Sequence, residues 1–275
     1  MTRSILITGC SSGIGADAAH TLSQRGWRVF ASCRKAEDCA RLQAEGLESP
    51  RLDYADADSI GTALAEVLGQ TGGTLDAIFN NGAYAIPGAV EDLPRDALRA
   101  IFETNLFGQF DLINQAIPVM RRQGHGRIVN CSSVLGFAAM PWRGAYNATK
   151  FAMEGLTDTL RMEMADTPLH ISLIEPGPIR TLFRKNSARE FERWIDWKAS
   201  ARAGQYENEL LKRLYSEGGK TAFELPASTV TTKLIHALEA PRPRPRYFVT
   251  TPTYGAAMMK RLLPTRATDW LSGAR

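Results

Sequence analysis

Tyr146 and Lys150 are the residues of this chain whose types and spacing could most directly move a proton. They stand four positions apart on the predicted helix Ala145–Met164, so their side chains share one helix face. The pKa of a free tyrosine is about 10, but a neighbouring ammonium stabilises the phenolate and lowers that pKa. The pair therefore predicts a tyrosine acid–base group activated by a lysine. The alternative is a surface pair, which is what a Y-x-x-x-K motif on an exposed helix usually is.

Two further polar residues could support such a centre. Ser133 follows the predicted strand Arg127–Cys131, where its hydroxyl could orient or polarise a substrate oxygen or could simply cap a turn. Asn105 lies on the predicted helix Arg95–Arg121, where a buried amide could order a water molecule beside Lys150.

A glycine-rich turn, TGCSSGIG at Thr8–Gly15, links the first predicted strand to the first predicted helix. Gly9 permits a tight turn, Gly13 lets backbone approach a pyrophosphate, and Gly15 allows close packing of helix and strand. Backbone N–H groups at a helix N-terminus attract phosphate, so the turn predicts a dinucleotide site; a turn without a ligand is the alternative. The candidate contacts are Gly9, Ser11, Ser12, Gly13, Ile14 and Gly15.

The end of the second predicted strand indicates which dinucleotide binds. Proteins that grip the ribose of NAD place an acidic residue near this point, and this chain has Cys33 followed by Arg34 and Lys35. Arg34 can fork onto a 2′-phosphate and Lys35 adds a second charge, which favours NADP(H); two solvated cations are the alternative. Asp53 could accept a hydrogen bond from the adenine amino group or cap its strand.

Short apolar segments alternate with amphipathic stretches along most of the chain. The predicted strands are Ser4–Thr8, Arg28–Ser32, Ala77–Asn80, Arg127–Cys131 and Ile171–Ile174, with weaker ones at Pro50–Asp53 and Tyr247–Thr250. The predicted helices are Ala16–Arg25, Ser59–Leu68, Arg95–Arg121, Ala145–Met164 and Thr253–Leu263. This alternation is typical of an α/β fold with a doubly wound, Rossmann-like parallel sheet. We expect one domain over residues 1–275, with a helical cap at 180–220 and a C-terminal appendage at 240–275.

The composition excludes several classes of protein. A hydrophobic share of 44% with 23% charged residues is ordinary for a globular chain, and a net charge of +4 is too small to predict nucleic-acid binding. The four cysteines, Cys10, Cys33, Cys39 and Cys131, include no C-x-x-C pair, so we expect neither a metal site nor a disulfide framework. Without a signal-peptide core or an apolar run of about 20 residues, we expect a cytoplasmic protein.

The order and separations of these groups resemble the short-chain dehydrogenase/reductase family. The matching features are Thr8–Gly15, Asn80-Asn81-Gly82-Ala83, Asn105, Ser133, Tyr146, Lys150 and Pro176-Gly177, with Ser133 thirteen residues before Tyr146. The resemblance covers about residues 3–182 and continues more loosely to the end. It implies hydride transfer between NADP(H) and a carbonyl or alcohol.

The resemblance also implies a role for each matching residue. Tyr146 would be the acid–base group, with Lys150 as its activating and ribose-binding partner. Ser133 would bind the substrate oxygen and Asn105 would support a proton relay. Further cofactor contacts would come from the loops after two strands, namely Asn81, Gly82, Ala83, Pro176, Gly177, Ile179 and Thr181.

The chain departs from the family pattern in two places. The family commonly has N-N-A-G where this chain has Asn80-Asn81-Gly82-Ala83. Because both small residues remain, we expect the fold and the cofactor site to tolerate this exchange of order. Ser12 stands where some NADP-using members carry a basic residue, so the cofactor prediction depends on Arg34 and Lys35.

In this family the segment after the Pro-Gly turn covers the substrate, and here it spans residues 180–220. Its aromatic content would suit a bulky apolar aldehyde, ketone or alcohol of the retinoid, steroid or long-chain type. An equal alternative is that its tryptophans pack the cap onto the sheet. The candidate substrate contacts are Ser133, Leu135, Met140, Trp142, Tyr146 and Phe183, and the pattern resembles the branch of retinol and hydroxysteroid dehydrogenases.

Family members are often homodimers or homotetramers that pair through the helices carrying Asn105 and Tyr146, and we expect the same here. Arg242–Arg275 contains seven basic residues and one acidic residue, Asp269. This segment could contact a membrane surface weakly, or it could be a solvated face or a subunit contact.

Two other functions share part of this pattern. A non-catalytic regulator could keep the fold and sense NADPH, although the set Ser133, Tyr146 and Lys150 would then serve no purpose. An epimerase or dehydratase acting on a nucleotide sugar shares the Tyr/Lys pair but normally has a larger C-terminal substrate domain.

Overall fold

Six strands form one parallel sheet in the order β2-β1-β3-β4-β5-β6. A computed structural model of the chain describes residues 2–216 and 222–271. The strands are β1 Ser4–Ile7, β2 Arg28–Ala31, β3 Ala77–Asn80, β4 Gly126–Cys131, β5 Leu169–Glu175 and β6 Arg246–Phe248. Because the chain runs outward from β1 in both directions, the carboxyl ends of β1 and β3 border the crevice where such folds bind ligands.

Helices cover both faces of the sheet. They are α1 Gly13–Gln24, α2 Ala36–Ala44, α3 Ala57–Gln70, α4 Arg95–Phe102, α5 Gly108–Gln123, α6 Gly144–Glu163, α7 Phe183–Trp194, α8 Ala203–Gln205, α9 Lys212–Leu214, α10 Ser228–Glu239, α11 Thr251–Leu262 and α12 Thr265–Leu271. Of these, α2, α10 and α12 were not predicted from the sequence. One π-helical segment, Glu103–Phe107, joins α4 to α5, and another, Tyr206–Leu211, joins α8 to α9.

Two apolar cores sandwich the sheet. Leu22 of α1 and Leu234 of α10 pack against one face, while Leu64 of α3 and Ile113 of α5 pack against the other. Strand β1 is buried along its whole length, with Ile5 directed to the first core and Leu6 to the second. Strands buried on both faces explain the near-continuous apolar runs in the sequence. The predicted doubly wound α/β fold is confirmed.

The predicted strand Pro50–Asp53 does not form. Residues 48–51 run beside β2, but only isolated bridges connect Phe30 with Glu48 and Cys33 with Arg51. Pro50 has no N–H to donate to a ladder, so the pairing is interrupted there. The Ser49 hydroxyl instead donates to the carbonyl of Ala31 over 2.6 Å.

The predicted helix Arg95–Arg121 is present but contains the π-helical segment, in which Asn105 is buried. A π-helical turn displaces one residue from the regular hydrogen-bond ladder and is often found at functional sites. The predicted strand Tyr247–Thr250 and helix Thr253–Leu263 correspond to β6 and α11.

The cap and the C-terminal appendage are described in part. The last four residues of each predicted segment, 217–220 and 272–275, lie outside the described residues. Within residues 2–216 and 222–271, no helix has the length and apolarity needed to cross a membrane.

Candidate active site

Helix α6 carries Tyr146 and Lys150 on its buried face. Their relative exposures are 7% and 1%, which excludes the alternative of a solvated surface pair. Lys150 Nζ donates to the backbone carbonyl of Cys131 over 2.7 Å and lies 5.7 Å from the centroid of the Tyr146 ring. The helix therefore holds a cation beside a phenol at the carboxyl end of β4.

Burial dominates the ionisation of both groups. It raises the pKa of Tyr146, as does the nearby Cys131 thiol, while a side-chain hydrogen bond with Ser133 opposes the rise. Burial lowers the pKa of Lys150 to about 8, against the opposing influence of Cys131 and Glu154. The net direction for Tyr146 is opposite to the expected lowering by Lys150, because desolvation outweighs the opposing influence of Ser133. At neutral pH the Tyr146 phenol therefore keeps its proton.

Ser133 connects Tyr146 to the loop after β5. Its hydroxyl accepts a hydrogen bond from Leu135 N over 3.1 Å and lies 3.5 Å from the carbonyl of Pro176. This geometry caps the short 3₁₀ turn Val134–Gly136, as the alternative interpretation proposed. The same hydroxyl opposes the rise in the pKa of Tyr146, so it lies near the phenol, and capping is compatible with orientation of a reacting oxygen.

The side chain of Asn105 is fully engaged with protein. Its amide nitrogen donates to the carbonyl of Tyr84 over 2.8 Å and to Thr149 Oγ1 over 3.3 Å. Its carbonyl oxygen accepts from Tyr84 N over 3.1 Å. These bonds connect the π-helical segment to helix α6 one residue before Lys150, and the described contacts place the Asn105 amide against Tyr84 and Thr149.

The glycine turn packs so closely on neighbouring protein atoms that side chains would not fit. Gly9 and Gly13 have φ values of +69° and +60°, which side-chain-bearing residues rarely adopt. A Cβ on Gly9 would lie 2.8 Å from Gly82 Cα, and one on Gly15 would overlap the carbonyl oxygen of Gly9. Helix α1 begins without a side-chain cap on Ser12 and without an acidic residue in its first turn. Its N-terminal N–H groups therefore suit a pyrophosphate.

Asn81 ties the glycine turn to the end of β3. Its Nδ2 donates to the carbonyls of Thr8 over 3.1 Å and Gly9 over 3.4 Å. Tyr54, which was not predicted, lies beneath this junction with its hydroxyl 2.8 Å from Thr8 Oγ1 and 2.6 Å from Asn80 Oδ1. Gly82 and Ala83 continue the same loop and are partly exposed.

A groove of about 510 Å³ lies beyond the end of β2, lined by Arg34, Lys35, Ala36, Glu37, Arg51 and Asp53. Arg34 is exposed, and Lys35 forms an ion pair with Glu37 over 2.9 Å. Arg51 was not predicted; it stands two residues before Asp53, and this alternation in extended chain is the signal that could have identified it. Three cations and two carboxylates line the groove at the predicted adenosine end, and this excess of positive charge suits a phosphorylated ribose.

The loop after β5 approaches the glycine turn. A Cβ on Gly13 would lie 2.9 Å from Thr181 Cγ2, and one on Gly177 would overlap Thr250 Oγ1. Ile179 is partly buried and pairs in a bridge with Leu225. Thr181 thus borders the glycine turn, and Pro176 lies beside Ser133.

The predicted substrate contacts divide into two groups. Phe183 is partly exposed with its ring 5.5 Å from that of Tyr146, and Leu135 and Trp142 pack on the same apolar cluster. Met140 is 41% exposed and does not belong to that cluster. In the cap, Phe191 and Tyr206 are buried, so part of its aromatic content packs the cap itself.

Comparison with known proteins identifies a family with this architecture. The sequence model described as short chain dehydrogenase matches residues 3–192. YbbO, an uncharacterized oxidoreductase of Escherichia coli K12, is 37% identical over 269 residues, covering 98% of this chain and 93% of that protein. Human 17-beta-hydroxysteroid dehydrogenase type 1 is 31% identical over 260 residues, covering 90% and 77%.

Solved structures agree with the sequence comparisons. A short-chain dehydrogenase from Streptomyces avermitilis has a TM-score of 0.78 and 25% identity, covering 100% of this chain and 98% of that one. Structures of this fold include complexes of other proteins with NAD and with NADP. The chain belongs to the short-chain dehydrogenase/reductase family and is an oxidoreductase of that fold.

Proposed function

We propose that this chain is an NADP(H)-dependent oxidoreductase that reduces a bulky apolar aldehyde or ketone, or oxidises the corresponding alcohol. The observation that carries the proposal is the burial of Tyr146 on α6 with its ring centroid 5.7 Å from Lys150 Nζ and the Ser133 hydroxyl near the phenol. A non-catalytic NADPH sensor would have no use for this arrangement.

When bound, the nicotinamide supplies or accepts the hydride. Tyr146 donates its phenolic proton to the substrate oxygen as that oxygen gains negative charge, and Ser133 holds the oxygen by a hydrogen bond. Burial keeps Tyr146 protonated, which suits the direction of carbonyl reduction. Lys150 then favours the resulting phenolate by its charge and is placed to hold the nicotinamide ribose. Asn105 supports this face of α6 through Thr149.

The groove beside Arg34 favours NADP(H) over NAD(H). Arg34, Lys35 and Arg51 are exposed around it, and Cys33, where an acidic residue would repel a phosphate, is buried and neutral because burial raises its pKa to about 12. A 2′-phosphate there would gain charge-assisted hydrogen bonds. The glycine turn, Asn81 and the loop from Pro176 to Thr181 would hold the rest of the dinucleotide.

The surroundings of Tyr146 favour an apolar substrate. Phe183, Leu135 and Trp142 present aromatic and aliphatic surface near the phenol. The similarity to human 17-beta-hydroxysteroid dehydrogenase type 1 and to human retinol dehydrogenase 8, which is 33% identical over 191 residues, supports the same class of substrate. We therefore favour a steroid, a retinoid or a long-chain aldehyde.

We further propose a cytoplasmic homodimer or homotetramer. The four cysteines are free and buried, which fits a reducing compartment. Exposed apolar side chains follow the two predicted pairing helices, namely Phe107, Phe151, Leu156 and Met162. Light scattering during gel filtration would measure the subunit number, and a monomer at micromolar concentration would refute this part.

The appendage has the features of a weak membrane-surface contact. Tyr254, Met258 and Leu262 form an exposed stripe along α11, spaced one turn apart, with Lys260 and Arg261 beside it. We expect the protein to sediment with anionic vesicles and not with neutral vesicles. The substitution Leu262→Asp should reduce the fraction that sediments with the anionic vesicles. Equal sedimentation of both variants would exclude the stripe.

The proposed activity is tested by following NADPH absorbance with a panel of apolar aldehydes and ketones. Turnover with NADPH at least ten times more efficient than with NADH supports the proposal. Tight NADPH binding with no turnover across the panel would instead support the sensor.

A further inference from the structure

A buried cluster of charged residues lies directly behind Lys150. Arg246 of β6 bonds with three carboxylates: Glu154 and Asp158 of α6, and Glu175 of β5. Glu154 and Glu175 have relative exposures of 7% and 0%. Glu154 is four residues after Lys150 on the same helix, so the two side chains share one face of α6. The cluster therefore lies next to Lys150.

The cluster contains three buried polar atoms without a hydrogen-bond partner among the described residues: Ser132 Oγ, Glu154 Oε1 and Glu175 Oε2. Orphaned carboxylate oxygens are costly in a protein interior. Glu154 and Glu175 both accept from Nη1 of Arg246, so their carboxyl groups lie beside each other. One proton held between them would give both oxygens a partner.

The ion pairs of the cluster point to the same assignment. Glu154 and Glu175 both accept from Arg246 Nη1, so two buried carboxylates share one guanidinium nitrogen, whereas Asp158 also pairs with Arg161 over 3.6 Å. Two ionised carboxylates held this close repel each other, which favours a proton on one of them. Burial raises the pKa of Glu175 to about 8, reinforced by the charge of Glu154 and opposed by Arg246.

We propose that Glu154 is a positioning residue that keeps Lys150 charged, while Glu175 holds the proton that leaves Glu154 ionised. The inference rests on the proposed function only in giving Lys150 a catalytic task. The charged and titratable groups around Lys150 and the pair are Tyr146, Asp158 and Arg161 on α6, Cys131 on β4, and Arg246 on β6. Burial raises the pKa of Cys131 to about 11, so this thiol is neutral in the working range.

The test measures the titration of Lys150 in the ligand-free protein by the ¹³Cε chemical shift of labelled lysine. The signal is assigned by its loss in Lys150→Met. In Glu154→Gln the midpoint is expected to fall by at least about half a pH unit, because a carboxylate no longer stabilises the ammonium. Asp158→Asn is the matched control, since it also removes a partner of Arg246 from the same helix but lies a further turn from Lys150. Its midpoint should equal that of the wild type.

Equal midpoints in Glu154→Gln and the wild type, or equal shifts in both variants, would overturn the proposal. If Glu154→Gln does not fold, Glu154→Asp is used instead, because it keeps the charge but shortens the side chain by one methylene. The midpoint of the Lys150 titration should then fall by a smaller amount, and an unchanged midpoint would again refute the role. In the reduction assay, the alkaline decline of kcat should move to lower pH in Glu154→Gln and not in Asp158→Asn. If the wild-type protein shows no turnover in this assay, the proposed function is refuted. The titration of Lys150 still tests the role of Glu154, because it is measured without substrate or cofactor.

Discussion

Lys150 Nζ and the backbone carbonyl of Cys131 form a hydrogen bond of 2.7 Å at the carboxyl end of β4. This bond fixes the cation against the sheet instead of against the phenol of Tyr146, whose ring centroid is 5.7 Å away. In the proposed function Lys150 therefore acts on Tyr146 through its charge, at a distance that depends on how α6 packs on β4.

Replacing this lysine should separate catalysis from folding. Lys150→Met keeps most of the side-chain volume but removes the charge, and we expect kcat/KM to fall by about 10²–10⁴-fold. Thermal stability should be unchanged or higher, because burying an ammonium is unfavourable and its pKa is lowered accordingly. Lys212→Met, at an exposed position of α9, is the control and should match the wild type in both assays. A Lys150→Met protein that is fully active would exclude the proposed role.

The glycine turn makes a prediction about backbone space. In Gly15→Ala the new Cβ would overlap the carbonyl of Gly9 and lie 2.8 Å from Asn81 Nδ2, so the turn must shift. We expect a loss of about 1–3 kcal/mol in the free energy of unfolding, measured in urea, and loss of stabilisation by NADPH.

Gly155→Ala provides the matched control on α6. Its Cβ would meet nothing within 4 Å. In a helix interior, alanine stabilises the folded state by about 0.5–1 kcal/mol relative to glycine. Gly155→Ala should therefore be slightly stabilising and retain its response to NADPH. Indistinguishable behaviour of the two variants would contradict the close approach at Gly15.

The cation groove makes a prediction about cofactor choice. We expect Arg34→Ala to weaken NADPH binding by more than about tenfold and to leave NADH binding nearly unchanged, because only NADPH carries the 2′-phosphate. Fluorescence titration with both cofactors measures this, with the exposed Arg99→Ala as a control that should change neither. Equal losses for the two cofactors would remove Arg34 from the phosphate site.

The proton on Glu175 makes a prediction about stability. Its pKa is raised from 4.5 to about 8, chiefly by burial, so between these values the folded protein holds a proton that the unfolded chain releases. The free energy of unfolding should therefore fall as pH rises through this window, by up to about 1.4 kcal/mol per pH unit. In Glu175→Gln this contribution is absent, so the difference between variant and wild type should grow with pH. A constant difference from pH 5 to pH 8 would show that Glu175 is ionised throughout.

Local sequence patterns were sufficient for the sheet and for the residues that border its crevice. Apolar runs identified β1 to β5, and the spacing of Ser133, Tyr146 and Lys150 predicted side chains that the fold brings together. The failure at Pro50–Asp53 has a local cause as well, because Pro50 lacks the donor that a ladder requires.

Long-range contacts could not be predicted in this way. Arg246 belongs to a segment expected to be extended, and nothing in its neighbourhood indicates that it meets Glu154, 92 positions earlier. The direction of the pKa change of Tyr146 was also missed, because helix spacing shows that Lys150 is near and does not show how deeply both side chains are buried. The π-helical segment around Asn105 depends on its bonds to Tyr84 and Thr149, which lie 21 and 44 positions away in sequence.

The most direct test of the central claim compares turnover of Tyr146→Phe with that of the wild type, using NADPH and an apolar aldehyde that the wild type reduces. Removing the hydroxyl takes away the proton donor and keeps the ring against Phe183, so NADPH affinity should stay within about threefold while kcat falls by about 10²–10⁴-fold. A Tyr146→Phe protein with the turnover of the wild type would contradict the account.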